Sequence, residues 1–431
     1  MLKGLSMLVL SSFLWAESIS LEEILDYASK NAQSLKIKET DAMIESTNIQ
    51  SAESAYYPSL NVVYNGEYNK ALDGIPLGSE TIGGVTIANG TRYQSSVAFS
   101  LNYDLYHFGA TDKHVDIAWA EYNIKRTEWC SLENELHQRI LEHYVSARKL
   151  STEYEYKNKM LILHKKLFSI ETRLYKVGQY SKIDLGDEAI SIITLDSEIK
   201  DISILYQDEI NKLSTLSYKN ISNDTKLLPL INKENTQPDT YNNTINSIIL
   251  QKKISQKVDE ISLQSREQMP SLGAYSSYYY YGSDPDRYKE SFSKLGEKSW
   301  NVGLALRFNI FEGFKHSAKS KRLSLELQRL KQEYTEAEHE FNYEVQVRIN
   351  KVKDLEYLKK NEQQLVDRNY KKVGMLKRLR KSKKVDMITE INAEYALLER
   401  TLNMKIRNID MLFEAMSLSI LKRGVTQCSL R

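Results

Sequence analysis

The sequence predicts a mixed α/β membrane protein made of two copies of one plan: a pair of amphipathic strands, then a hairpin of very long helices. Three observations carry this. The first is an internal repeat. Pro58-Ser59-Leu60 recurs as Pro270-Ser271-Leu272, and Asp104-Leu105-Tyr106-His107-Phe108-Gly109 recurs as Asn309-Ile310-Phe311-Glu312-Gly313-Phe314. Tyr106 and Phe311, and likewise Gly178 and Ser382, stand about 205 residues apart, so the segment between anchors keeps a nearly constant length. A repeat this long is half of an architecture rather than a solenoid unit. The second is a set of strand-like segments with period two. The third is scarcity of breakers: 6 Pro and 17 Gly in 431 residues, with no Pro between Pro76 and Pro229 or beyond Pro285. Such gaps leave room for uninterrupted helices.

Met1-Leu2-Lys3, the apolar run Leu5 to Trp15 and then Ala16-Glu17 predict a signal peptide over residues 1–16, although Leu14 at the −3 position is not small. The run is too short to span a bilayer. No Cys follows it, so no lipid anchor is expected at the mature N-terminus. No other stretch reaches about 18 apolar residues, so any membrane span must be a β-barrel. A formal charge of +2 gives no electrostatic reason to expect nucleic acid.

The first repeat is expected over 17–218, with strands at about 59–68 and 93–106 and helices at about 109–177 and 182–217. In the first strand Leu60, Val62, Tyr64 and Tyr68 oppose Asn61, Asn65 and Glu67. In the second, Tyr93, Val97, Phe99, Leu101, Tyr103 and Leu105 oppose Gln94, Ser96, Ser100, Asn102 and Asp104. A linker of Asn, Asp, Thr and two Pro is expected over 219–244. The second repeat, 245–423, carries strands at about 271–281 and 299–310 and helices at about 313–381 and 385–422, with a tail over 424–431. Trp300, Val302, Leu304, Leu306 and Phe308 oppose Asn301, Gly303, Arg307 and Asn309. The Tyr-rich strand from Leu272 alternates less clearly.

Strands this long suit a tilted membrane strand better than a soluble sheet, and the aromatic residues near their ends suit an interfacial belt. The loops Asn69–Arg92 and Gly282–Lys298 are expected as exposed connections. Four strands cannot close a barrel, because small membrane barrels begin near eight, so several chains must share one.

After Gly109 about 68 residues pass before Gly178, equivalent to ~100 Å of helix. Leu163, Leu167, Ile170, Leu174 and Val177 step by four and three, as do Leu323, Leu327, Leu330, Tyr334, Ala337 and Phe341. The spacing continues from Ile388 and Ile391 through Tyr395, Leu398 and Leu402 to Ile420. Between these seams the surface is Lys, Glu, Asn and Gln, the pattern of solvated coiled-coil helices.

No catalytic motif is present. The seven His have no metal-protease spacing, and there is neither a Gly-rich phosphate loop nor a nucleophile elbow. An enzyme is therefore not expected. A periplasmic coiled-coil adaptor or scaffold is the alternative, and the paired strands before each hairpin favour a channel over it.

Signal peptide, duplicated strand–strand–hairpin units and the phrase Leu304-Ala305-Leu306-Arg307-Phe308-Asn309-Ile310-Phe311-Glu312-Gly313 together resemble the TolC family of outer-membrane efflux proteins, over nearly the whole mature chain. The resemblance rests most on the junctions Asp104–Gly109 and Asn309–Phe314, and on the turn Tyr175-Lys176-Val177-Gly178 with Asp184 beyond it. It implies a homotrimer in the outer membrane, three chains giving four strands each to a 12-stranded barrel, continued by a helical tunnel in the periplasm. The implied role is an exit duct for efflux or type I secretion, without a cofactor or metal. Its implied partners are a periplasmic adaptor and an inner-membrane transporter. Gly109 and Gly313 would mark the barrel-to-helix junctions, and Val177, Gly178 and Ser382 the hairpin tips offered to the adaptor.

The family often carries acidic residues six and nine positions after the turn glycine of the second repeat. Counted from Ser382 these are Ile388 and Ile391, whereas from Gly178 they are Asp184 and Asp187, followed by Glu188. An apolar constriction at Ile388 and Ile391, flanked by Asp386 and Glu390, is one reading; ordinary seam residues are the other. The second tip is basic, with Lys381, Lys383 and Lys384 in a run free of acidic residues. It reads either as a solvated face or as a latch onto Asp184, Asp187 and Glu188. Cys130 lies ~72 Å of helix from Gly178 and Cys428 ~65 Å from Val385, similar heights that allow a disulfide. Two free thiols are the alternative.

Overall fold

A computed structural model describes residues 18–69, 81–82, 85–86, 93–231 and 240–428. The expected signal peptide over 1–16, most of the 69–92 loop and part of the 219–244 linker lie outside these residues, as does the end of the tail.

The elements run β1 (Ser18–Ile19), α1 (Leu21–Asn31), α2 (Gln33–Glu53), β2 (Ser59–Tyr68), β3 (Thr81–Ile82), β4 (Val85–Thr86), β5 (Tyr93–Tyr106), α3 (Ala110–Lys176) and α4 (Lys182–Ser217). They continue β6 (Lys226–Leu227), α5 (Ile245–Arg266), β7 (Ser271–Asp284), α6 (Tyr288–Ser293), β8 (Glu297–Arg307), α7 (Lys315–Lys381) and α8 (Met387–Leu421). Both α3 and α7 are 67 residues long. The chain divides into two units, one of Thr40–Arg126 with Ile249–Tyr334, the other formed by the segments up to Glu39, Thr127–Ile248 and from Thr335 onward.

The first of these units holds a four-stranded antiparallel sheet in the order β2-β5-β7-β8. Its register resolves the strand that the sequence left unclear. Val62, Phe99, Tyr278 and Trp300 form one cross-strand row, and Leu60, Leu101, Ser276 and Val302 the next. The even-numbered residues of β7 therefore share the apolar face, although Ala274 and Ser276 do not announce it. Asn61, Ser100, Ser277 and Asn301 form a row on the opposite, polar face. Loop residues 285–296 are not a plain connection: they include α6, which packs on β5 and β7.

In the other unit, Ile19 and Leu227 pair in a short parallel ladder, β1 with β6. Ser20 starts α1 with a capping box to Glu23. The buried hydroxyl of Tyr144 on α3 donates 2.6 Å to the carbonyl of Leu228, and Arg148 Nη1 donates 3.0 Å to that of Leu227. The described parts of the expected linker form a packed belt, with Ile221, Leu227, Leu230 and Tyr241 all buried. Tyr156, Met160 and Leu161 of α3, Leu195 and Ile199 of α4, and Leu402 of α8 form one apolar cluster, in which only Leu402 belongs to the seams that the spacing predicts.

Candidate functional site

Two surfaces and two turns set what this chain can do. The apolar face of the sheet is open: exposure runs from 60% at Val62 to 72% at Leu306, with Leu60, Trp300, Val302 and Leu304 between. Soluble monomers rarely keep a contiguous apolar patch facing water. The outer edges of β2 and β8, 10 and 11 residues long, carry unpaired backbone groups among the described residues. An open edge cannot stand in a bilayer, where every N–H and C=O needs a partner.

The junctions into α3 and α7 use two successive left-handed residues. Phe108 and Gly109 have φ of 45° and 72°; Gly313 and Phe314 have 60° and 64°. The same turn is built twice, with its one glycine first in one repeat and second in the other. Arg266 Nη1 donates 2.8 Å to the Gly109 carbonyl, which also accepts from the Lys113 amide at 3.2 Å as α3 begins.

The hairpin tips correct the sequence-based register. Gly178 is left-handed at φ 76°, and its counterpart is Lys383 at φ 60°, not Ser382. The hydrogen bonds agree: the amide of Gly178 donates to Tyr175 and that of Gln179 to Leu174, while Lys383 donates to Arg380 and Lys384 to Leu379. N-caps Ser181 and Asp386 follow three residues later in each tip. Counted from Lys383, the positions equivalent to Asp184 and Asp187 are Thr389 and Asn392, both exposed. Ile391 is 2% exposed and packed inside the unit, and Ile388 is half-buried. Ile391 is therefore a seam residue here. Asp386 caps α8, and hydrogen bonds from Thr389 hold its carboxyl below the usual range. Glu390 is buried against Arg380.

The expected latch residues are not joined within the chain. Glu188 Oε1 lies 2.7 Å from His164 Nδ1 inside the first hairpin, and Asp184 holds the Ser181 hydroxyl at 2.8 Å. Lys381, Lys383 and Lys384 are exposed and make no ion pair among the described residues, whereas Lys377 and Arg380 pair with Glu394 and Glu390. Val177, Gly178 and Ser382 are exposed at the tips. Beside the first tip, Glu171 is buried with Oε2 unpartnered, and burial pushes its carboxyl up. Tyr180 donates 2.6 Å to its other oxygen, a bond that pushes the phenol up to about 12.

Cys130 and Cys428 are joined by a disulfide, with Cα atoms 5.6 Å apart across 298 residues. Next to it lies a cluster that spacing did not suggest. Glu133 has no solvent exposure and accepts from Arg423 Nη2 at 3.1 Å. Arg423 Nη1 also donates 2.9 Å to Asn134 Oδ1 and lies 3.1 Å from His137 Nδ1, while His137 Nε2 is 2.9 Å from Ser29 Oγ. Burial is the main force on His137, pulling its pKa down to about 4. The imidazole is neutral, with Nδ1 accepting from Arg423 and Nε2–H donating to Ser29.

With this geometry in hand, the chain was compared with known structures. The Campylobacter jejuni outer membrane channel CmeC superposes with a TM-score of 0.75 at 14% identity, over 93% of this chain and 85% of that one. The fold is that of the outer-membrane channels of the TolC family. The transmembrane channel CusC gives 0.75 at 14% identity over 94% and 92% of the two chains. The Vibrio cholerae outer membrane protein VceC gives 0.73 at 13% over 94% and 96%. No family model matches the sequence, and no curated protein does. The TolC-type fold is thus carried by backbone architecture, with little sequence in common. Among the described residues no helix is long and apolar enough to cross a membrane.

Proposed function

We propose that the chain is the outer-membrane exit duct of a tripartite export system, conducting substrates passively while an inner-membrane transporter supplies the energy. The observation that carries this reading is the sheet, with one largely apolar face that is exposed along β2 and β8, one polar face and two open edges. Lipid satisfies the face. Neighbouring copies satisfy the edges, β8 of one chain pairing with β2 of the next. Three chains then give a 12-stranded barrel whose polar rows line the interior. The two long hairpins of each chain form a periplasmic tunnel, and their tips receive an adaptor.

The constriction belongs to Asp184 and Asp187 with their counterparts Thr389 and Asn392. All four are exposed in the chain, and Asp184 and Thr389 stand in the first turn of their helices. At these four positions the acidic side chains come from the first hairpin only. The bare Lys381, Lys383 and Lys384 present positive charge to an adaptor or to the Asp184 side of a neighbouring tip. Such exposed pairs contribute only ~0–1 kcal/mol each and weaken with salt.

Membrane fractionation with light scattering of the detergent-extracted protein tests the reading. Recovery from the outer membrane as a three-chain particle is expected. A soluble monomer in the periplasm would overturn it.

A further inference from the structure

The β7–β8 connection folds back onto the apolar face of the sheet. Three positions with little or no side chain lie side by side there: Gly66 on β2 opposite Ser95 on β5, and Ser95 opposite Gly282 on β7. α6 occupies this shallow track. A Cβ at Gly66 would stand 2.0 Å from the Tyr288 hydroxyl, and one at Gly282 would stand 2.4 Å from the Ser291 carbonyl. Ser291 Oγ is 2.9 Å from Ser95 Oγ, and the Tyr288 hydroxyl bonds to that of Tyr64. Asp284 fixes the approach by accepting from the amides of Asp286 and Arg287 at 2.9 and 3.0 Å and pairing with Lys294. The segment is a built element.

Its far side is not satisfied. Phe292 stands edge-on to Tyr64, ring centroids 5.9 Å apart, yet is 53% exposed, and Tyr288 is 42% exposed. Tyr64 belongs to β2, the open edge. We propose that α6 is an intersubunit clasp, with Phe292 and Tyr288 closing over β8 of a second copy of this chain where that strand pairs with β2. The inference rests on the shared-barrel reading above. Paired strands lie about 4.8 Å apart, and side chains directly opposite stand about 5 Å apart, so the residue beyond Tyr64 comes from the apolar face of β8. That face offers Trp300, Val302 and Leu304, all exposed in the single chain. Phe292 already flanks Tyr64, with ring centroids 5.9 Å apart. A phosphate-bearing lipid surface fits less well. Arg287, Lys289, Lys294 and Lys298 are balanced by Asp284, Asp286, Glu290 and Glu297, leaving the segment no net attraction for anions.

The test uses full-length protein in detergent, with Phe292→Ser compared against Lys289→Ser, an exposed position outside the contact. Light scattering counts chains, SDS gels give the temperature of dissociation, and mixing tagged with untagged assemblies gives the rate of subunit exchange. For F292S the expected result is a three-chain particle that exchanges subunits several-fold faster and dissociates at a temperature lower by on the order of 5 °C; K289S should match wild type. Wild-type exchange and dissociation in F292S would overturn the clasp and leave the barrel reading intact. Destabilisation of F292S only in lipopolysaccharide vesicles would overturn it in favour of a lipid contact. A wild-type protein that is not multi-chain would instead remove the barrel reading itself.

Discussion

Arg423 Nη2 lies 3.1 Å from Oε2 of Glu133, a carboxylate with no solvent exposure, where the end of α8 meets α3. The pair joins residues 290 positions apart and sits beside the Cys130–Cys428 disulfide. Charge, disulfide and the β1–β6 ladder thus secure the chain's first and last described segments to one stretch of α3.

Arg423→Ala should therefore be severe. It breaks an ion pair to a carboxylate with no solvent exposure, which costs up to about 3–5 kcal/mol. Replacing Arg423 and Glu133 together by Met and Leu should recover much of the loss. Thermal unfolding of the two variants would check it, and a double variant no better than the single one would contradict the pairing.

The buried imidazole makes this belt sensitive to acid. His137 has a pKa of about 4 in the fold against 6.5 for the ordinary side chain, so the unfolded chain binds the proton first as pH falls. Stability present above pH 6.5 is lost as pH falls towards 4, by up to about 3 kcal/mol. His137→Gln keeps a donor for Ser29 and an acceptor for Arg423, and should flatten the curve over this window. Equal slopes for wild type and H137Q between pH 7 and 4.5 would show that His137 is not the cause.

The disulfide closes a loop of about 300 residues, for which chain entropy gives an upper bound of about 6 kcal/mol. Cys130→Ser with Cys428→Ser should lower the unfolding temperature and open the segment after Lys422 to protease. Unchanged proteolysis would mean that the Arg423 cluster alone holds the tail.

At the tips, two substitutions should separate seam from entrance. Ile391→Ala removes a side chain 2% exposed and should cost about 2–4 kcal/mol without changing ion selectivity. Asp184→Asn with Asp187→Asn should do the opposite, reducing cation preference with little effect on stability. Reversal potentials in a salt gradient decide between them.

Leu304→Arg places a charge on the exposed apolar row of β8. At mid-bilayer depth this costs about 2–4 kcal/mol and should lower the yield of assembled protein in the outer membrane. Asn301→Arg, on the polar face, should be tolerated. Equal yields would contradict the assignment of the two faces.

The fold class was legible because its two periods are long and clean. Period two runs through β2, β5 and β8, and the long gaps without Gly or Pro, from Gly109 to Gly178 and from Gly313 to Gly374, mark the long helices. What was hidden depends on neighbours in space. Ala274 and Ser276 acquire a face only from their partners Leu304 and Val302. The track under α6 needs Gly66, Ser95 and Gly282 brought together from three strands. The tip register slipped by one because a lysine, Lys383, holds the left-handed position that glycine marks in the first repeat. The one-residue offset exchanges Thr389 and Asn392 for Ile388 and Ile391. Likewise the Glu133–Arg423 pair spans nearly the whole chain, and no local spacing rule reaches that far.

The most direct test of the central claim is single-channel conductance of the purified protein in a planar bilayer. An exit duct whose entrance is lined by Asp184 and Asp187, as proposed above, should insert and give small, stable steps with cation preference. A protein that never inserts, although folded and pure, would contradict the duct and the assignment of the sheet to the membrane.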